Sequence, residues 1–272
     1  MTPSGYLQRP NRLLAVYAIG YLAFLYIPVL FLPLFSFNDS LFVAFPIEKF
    51  TLRWYGDMLN NAPMHAALWN SLKVGFTAAT VSTIFGILGA KAVTRYRLPG
   101  QKPVIAAIML PLVVPEIILG TSLLILVNNI GLGLSLISVT IGHILICVPF
   151  SMAVLMSRFE GFDKSMEEAS ADLGENAWWT FWRVTFPMVF PGVLSSMLLC
   201  FTISFDEFLM AFFLTGTEPT LPVFIYSQLR FPARLPGVLA LGATILTVSF
   251  FVIALAEWIR RRGDQSGSAA GL

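Results

Sequence analysis

Three carboxylates stand out by their position. Glu116, Asp206 and Glu207 fall inside long apolar runs that carry no lysine or arginine. A carboxylate at the centre of a membrane helix costs about 2.5–3.5 kcal/mol on insertion scales, so such groups face a cavity or a partner and mark solute or proton paths. The chemistry open to them is cation binding or proton relay. Covalent chemistry finds no support. Cys147 and Cys200 sit in apolar runs and suit packing, and His65 and His143 form no ligand spacing with them. No G-x-x-x-x-G-K-[ST] phosphate loop occurs, and the glycines of Gly131-Leu132-Gly133 read as a turn. The sequence therefore assigns no catalytic residue, no metal ligand and no cofactor.

A second constellation is EEASADLGENAWWTFWRVTFPMVFPG, Glu167–Gly192. Asp163 is a good N-cap for a helix over Lys164–Leu173. Met166, Ala169 and Leu173 recur at i, i+3 and i+7, which draws one apolar stripe, while Glu167, Glu168 and Asp172 mark the other faces. Gly174 fits the left-handed position after a last turn. Asn176 caps a second short helix carrying Trp178, Trp179, Phe181, Trp182 and Val184, and Pro187 is expected to turn the chain into the next apolar run. The small side chains at Ala169, Ser170 and Ala171 admit the close approach of another surface. The residues leave two readings open: an interfacial loop that joins two spans, or a docking helix for a partner.

These residues are carried by a chain that lipid must partly cover. Its 272 residues are 57% hydrophobic and 12% charged, with mean hydropathy +0.78, against about 25% charge in an ordinary soluble domain. A net charge of +2 gives no support to a nucleic-acid partner. Spanning the hydrocarbon takes about 20 apolar residues. Six stretches qualify: residues 13–35, 71–93, 104–127, 134–156, 188–215 and 238–259. The first follows Arg9 and Arg12 and is too long for a cleaved signal core, which runs to about 15 residues, so it is kept as a span. Lysine and arginine favour the cytoplasmic side. With both termini inside, twelve of them fall in inner segments, and only Lys49, Arg53, Arg230 and Arg234 fall outside. Residues 157–187 then lie at the cytoplasmic face, and the tail Gly263–Leu272 is expected to be disordered. Pro28, Pro33, Pro111, Pro115 and Pro149 are expected to kink spans.

On straight helices Glu116 lies ~18 Å beyond Val104, and Asp206 ~21 Å beyond Gly192, at about 1.5 Å per residue. Both helices enter from the same side, so the acids are expected to share a depth past the midplane, where transporter sites occur beside broken helices. Asp206 and Glu207 point some 100° apart on a helix and cannot line a path equally; Asp206 is preferred. The alternatives are protonated acids bonded to freed carbonyls, or a Glu207 that caps a helix break.

Glu168-Ala169-Ser170, then Gly174, then Val184-Thr185-Phe186-Pro187, resembles the EAA motif of ABC importer permeases: Glu-Ala-Ala, three residues, Gly, nine residues, Ile, any residue, Leu-Pro. Ser170, Val184 and Phe186 depart from that pattern by small or apolar exchanges. Phe37-Asn38 with Ser40, Trp54-Tyr55, Arg95-Tyr96-Arg97, Gly161-Phe162-Asp163, and Leu221-Pro222 with Ile225-Tyr226 look like the spermidine/putrescine permease subgroup. The resemblance covers nearly the whole chain. It implies an all-α transmembrane bundle of six helices with the type I ABC importer permease (MetI-like) fold, a single domain over 1–272. It further implies a multi-pass protein of the bacterial cytoplasmic membrane that is not itself an enzyme and forms half of a path for a polyamine or related cation. Glu168, Ala169, Ser170, Gly174 and Pro187 would couple it to a cytoplasmic ATP-binding subunit, itself a dimer. A second, homologous permease and an extracytoplasmic solute-binding protein complete the implied partners, the latter docking on loops Ser36–Asn70 and Gly216–Gly237. A secondary transporter or channel with a carboxylate proton relay is the competing reading. It gives no reason for the capped elbow.

Overall fold

The computed structural model describes residues 12–41, 44–47, 49–96 and 99–269. In chain order its helices are α1 (Arg12–Ser36), α2 (Arg53–Leu59), α3 (Ala62–Arg95), α4 (Gln101–Met109), α5 (Glu116–Asn129), α6 (Leu136–Glu160), α7 (Ser165–Asp172), α8 (Ala177–Thr180), α9 (Phe186–Asp206), α10 (Leu209–Leu214), α11 (Leu221–Leu229) and α12 (Leu235–Ala269). No named strand forms among the described residues; one bridge pairs Asn38 with Phe50. All-helical structure is what lipid demands, because a helix satisfies its own backbone polar groups. Among the described residues five helices are long and apolar enough to cross a membrane, and a bent pair makes a sixth if taken as one span.

The chain divides into two compact units, Ala62–Tyr226 and Met1–Asn61 with Ser227–Leu272. In the latter, α1 and α2 pack on α12. The Trp54 indole donates to the Asn38 carbonyl at 2.8 Å, and the Tyr55 hydroxyl meets Ser36 Oγ at 2.6 Å. The loop after α1 is thus folded onto α2 by aromatic side chains with polar tips.

In the larger unit α3, α6 and α9 form the centre. Ala67, Ser71, Gly75, Ala78, Ala79, Ser82, Thr83, Gly86 and Ala90 make up most of the buried face of α3, as expected where lipid supplies no hydrophobic drive and helices associate through close backbone approach. At Gly86 the approach is tightest: a Cβ there would stand 2.0 Å from Ser151 Oγ. Ser196 Oγ donates to Ser151 Oγ at 2.7 Å, and His143 Nδ1 meets Ser204 Oγ at 2.7 Å, tying α6 to α9. Cys147 and Cys200 are buried at the same seam.

Several sequence expectations need correction. The stretch expected as one helix over residues 104–127 is broken: Gln101–Leu112 and Glu116–Asn129 meet at 100°. Pro111 sits in a 3-10 turn, Leu110–Leu112, and Pro115 precedes α5 with an extended ψ of 131°. Proline lacks an amide and steers the residue before it, Val114, out of the α region, so two prolines this close end a helix instead of kinking it. Glu116 is therefore the first residue of α5, and the ~18 Å depth reckoned along a straight helix does not hold. The stretch over residues 188–215 begins earlier, since Ala177–Asp206 runs as one span, and breaks at Glu207, where ψ is 117°. Pro187 makes no turn. It lies in continuous helix just after a π-helical turn, Phe181–Thr185, in which the Phe186 amide already bonds five residues back to Phe181. That wider turn takes up the ring and the missing donor. The tail stays helical as far as Ala269, because each added residue of a nucleated helix gains a bond. Arg9, Arg97 and residues 270–272 lie outside the described residues, as do the side chains of Arg260, Arg261 and Arg262.

Candidate functional site: a capped elbow and a carboxylate break

The elbow is built by caps. Asp163 Oδ1 accepts from the Ser165 amide at 3.0 Å, and this bonding holds the Asp163 carboxyl below the usual range. α7 then runs for two turns. It ends in a Schellman arrangement, the Glu175 amide bonding Ser170 O at 3.2 Å and the Gly174 amide bonding Ala171 O at 2.9 Å. Gly174 has φ +89°. Asn176 Oδ1 accepts from the amides of Trp178 and Trp179 at 3.1 and 3.0 Å, opening α8. Trp178, Trp179 and Trp182 are exposed along it, as suits a membrane interface.

Of the apolar stripe, Ala169 and Leu173 face outward, while Met166 borders a groove lined by α6 and α9. Leu173 is 87% exposed, Met166 is 48% exposed and Ala169 is also exposed. Polar residues take the inner side. Ser170 is buried, its hydroxyl 3.0 Å from Thr180 Oγ1. Glu167 Oε2 pairs with Arg95 Nε at 2.8 Å, and Glu167 Oε1 accepts from Thr185 Oγ1 at 2.6 Å. Glu168, the motif glutamate, is exposed and pairs with Lys164, at 3.4 Å and one turn away. Sequence reasoning marked Glu167 as a polar face and missed this role. No local pattern pointed to Arg95, which lies 72 residues before Glu167.

The three carboxylates fall at helix ends. Glu116 opens α5, where an acid suits the positive end of the helix dipole. Glu207 Oε1 accepts from the Met210 amide at 3.1 Å, which caps α10. α10 packs on α5, and Glu116 lies within electrostatic reach of Glu207. The preference for Asp206 gains nothing from this arrangement: Asp206 is the exposed last residue of α9. The structure thus places Glu116 and Glu207 at two helix breaks on elements that pack together. Phe208, next in sequence to Glu207, meets Tyr226 at a tilt with ring centroids 4.9 Å apart, and Phe212 meets Tyr226 edge-on at 5.8 Å. Among the described residues no group of His, Cys, Asp and Glu is placed to hold a metal ion.

A bundle of apolar helices, a capped elbow and two breaks lined by carboxylates describe a membrane permease subunit. Residues 82–264 match the family of the binding-protein-dependent transport system inner membrane component, and the chain belongs to it, the permeases of ABC importers. It is 33% identical over 258 residues to the spermidine/putrescine transport system permease protein PotC of Escherichia coli (strain K12), covering 94% of this chain and 95% of that protein. It is 32% identical over 250 residues to the putrescine transport system permease protein PotI of the same organism, covering 89% and 88%. Its fold is similar to a crystal structure of a bacterial ABC transporter involved in the import of the acidic polysaccharide alginate, with TM-score 0.72 and 19% identity over 95% of this chain and 99% of that one.

Proposed function

We propose that this permease forms half of the translocation pathway of an ATP-driven importer for a polyamine such as spermidine or putrescine, with α7 as the docking helix for a cytoplasmic ATP-binding subunit. The observation that carries the reading is the orientation of α7. Its Glu167 and Ser170 are spent inward on Arg95, Thr185 and Thr180, while Ala169 and Leu173, the latter 87% exposed, face away from the bundle. An apolar face that a helix turns away from its own bundle is a binding face. A lone chain would also leave its pathway side to lipid, so the reading includes a second, homologous permease, a dimer of ATP-binding subunits and an extracytoplasmic solute-binding protein. Both termini, the elbow among the inner loops, are assigned to the cytoplasmic side on the distribution of lysine and arginine.

The polyamine assignment draws on PotC and PotI, whose names state spermidine and putrescine. It is supported by Glu116 and Glu207 at two breaks of packed helices, and by Phe208, next in sequence to Glu207, whose ring lies near Tyr226, since carboxylates attract and aromatic faces hold ammonium groups. The test is uptake by the complex reconstituted in liposomes against labelled spermidine, putrescine, amino acids and metal chelates, with and without ATP. ATP-dependent uptake of amines alone is expected. Amine uptake without ATP or the ATP-binding subunit would sink the importer reading, and ATP-dependent uptake of another class would sink the polyamine assignment.

A further inference from the structure

Two glutamates stand side by side in α7 with different surroundings. Glu168 and its partner Lys164 have side chains 64% and 60% exposed, a pairing worth little to orientation. Glu167 and Arg95 are 16% and 10% exposed, and both carboxylate oxygens of Glu167 are engaged. Oε2 meets Arg95, the last residue of α3, while Oε1 meets Thr185, a fully buried residue in the π-helical turn that leads into α9. The same arginine donates from Nη2 to the Phe162 carbonyl at 3.1 Å, in the turn that enters α7, and its guanidinium lies over the Phe162 ring at 5.2 Å. One carboxylate and one guanidinium therefore tie the elbow to the end of one span and the start of another.

We infer that Glu167, through Arg95 and Thr185, is the positioning residue that makes α7 move as one body with the adjoining ends of α3 and α9. A push on the exposed stripe of α7 is then passed to two of the three central helices at once. Without it α7 would hang on its connecting turns, one ending in Gly174 at φ +89° and the other holding Gly161, and would yield to the push locally. This rests on the docking role proposed for α7. It adds that the force leaves α7 through Glu167, a residue on the face opposite the docking stripe, and not through the exposed Glu168.

The test uses the full complex of the permease pair, ATP-binding subunits and solute-binding protein in liposomes, with labelled spermidine and putrescine as probes. The readout is solute imported per ATP hydrolysed. Glu167→Gln keeps an acceptor for Thr185 and removes the charge that Arg95 needs. Thr185→Val keeps shape and removes the donor. The exchange variant Arg95→Glu with Glu167→Arg restores opposite charges, and the Thr185 hydroxyl can accept from the new guanidinium. Glu167→Gln is expected to lower the ratio at least fivefold in complexes that still contain the ATP-binding subunit, Thr185→Val to lower it about twofold or more, and the exchange to recover most of the loss. An unchanged ratio in Glu167→Gln overturns the inference. So does an unchanged ratio in Thr185→Val where Glu167→Gln fails to assemble, and so does a loss that the exchange leaves unrecovered. Failure of the docking role looks different, because the unmodified complex would then retain no ATP-binding subunit at α7.

Discussion

Replacing Gly174 isolates backbone geometry from packing. Its φ is +89°, and an ideal Cβ built on it meets nothing within 4 Å. A Cβ there collides with no neighbour, so the cost of adding it is conformational, about 1–2 kcal/mol for an ordinary L residue held in the left-handed region. Valine, β-branched, sits at or above the top of that range. Asparagine tolerates the region and is expected near the bottom. The strain can be relieved only by giving up the two amide bonds that Gly174 and Glu175 make to Ala171 and Ser170, which unwinds the last turn of α7 and moves Leu173. If docking needs the formed elbow, the apparent affinity for the ATP-binding subunit falls with the fraction formed. At about 1.4 kcal/mol per tenfold, the valine variant is expected to bind roughly tenfold more weakly once the strained form becomes the minority, and the asparagine variant within about threefold of the original. Binding of the ATP-binding subunit to detergent-solubilised permease, by titration, gives both numbers. Valine binding as tightly as glycine, or asparagine binding as poorly as valine, would refute the link between this cap and docking.

Ala169→Trp puts bulk on the exposed stripe without touching the bundle, so the permease should express and fold while co-purification of the ATP-binding subunit falls; normal recovery would exclude that face. Glu207→Gln keeps an acceptor for the Met210 amide and removes the charge, whereas Glu207→Ala also removes the cap, worth about 0.5–2 kcal/mol. Reduced spermidine uptake in a well-assembled glutamine variant assigns Glu207 to the pathway, and a defect seen only with alanine assigns it to the cap. Gly86→Val drives side-chain atoms into Ser151, the Cβ alone standing 2.0 Å from its Oγ, and should cost about 1–3 kcal/mol by overpacking, read as a lower thermal midpoint of the solubilised protein.

What the sequence made legible is local. Asp163, Gly174 and Asn176 act where they were expected because a cap joins one side chain or one φ angle to an amide two or three residues away. The apolar stretches were legible because lipid imposes length and hydropathy together. The breaks were not. Hydropathy averaged over about 20 residues cannot separate a span from two half-helices at 100°, and the difference rests on Pro111 and Pro115. Pro187 misled in the opposite sense, since a π-helical turn five residues long absorbs the proline that would otherwise end the helix. The Glu167–Arg95 pair was invisible for a third reason. Two charges far apart in sequence carry no mark of their meeting, and a polar inner face on an amphipathic helix runs against the usual rule that its apolar face is buried.

That inversion explains why two such different features share one fold. A helix that buries its apolar face is held by area and can slide. α7 is held by directed bonds from Glu167 and Ser170, which fix its register, and its apolar face remains for a partner. The carboxylate break follows a related logic at the other end of α9. Glu207 leaves the helix to cap α10, so its charge is placed by backbone geometry. Because α9 runs from Phe186 to Asp206, with Pro191 inside it, the elbow and the break lie at the two ends of one helix. A movement of about one helical turn, ~5.4 Å, at Thr185 would displace Asp206 and Glu207 relative to Glu116 if α5 stayed in place. On that geometry, access of a cationic solute to the acid pair and the position of α7 are linked, with α9 as the part that links them.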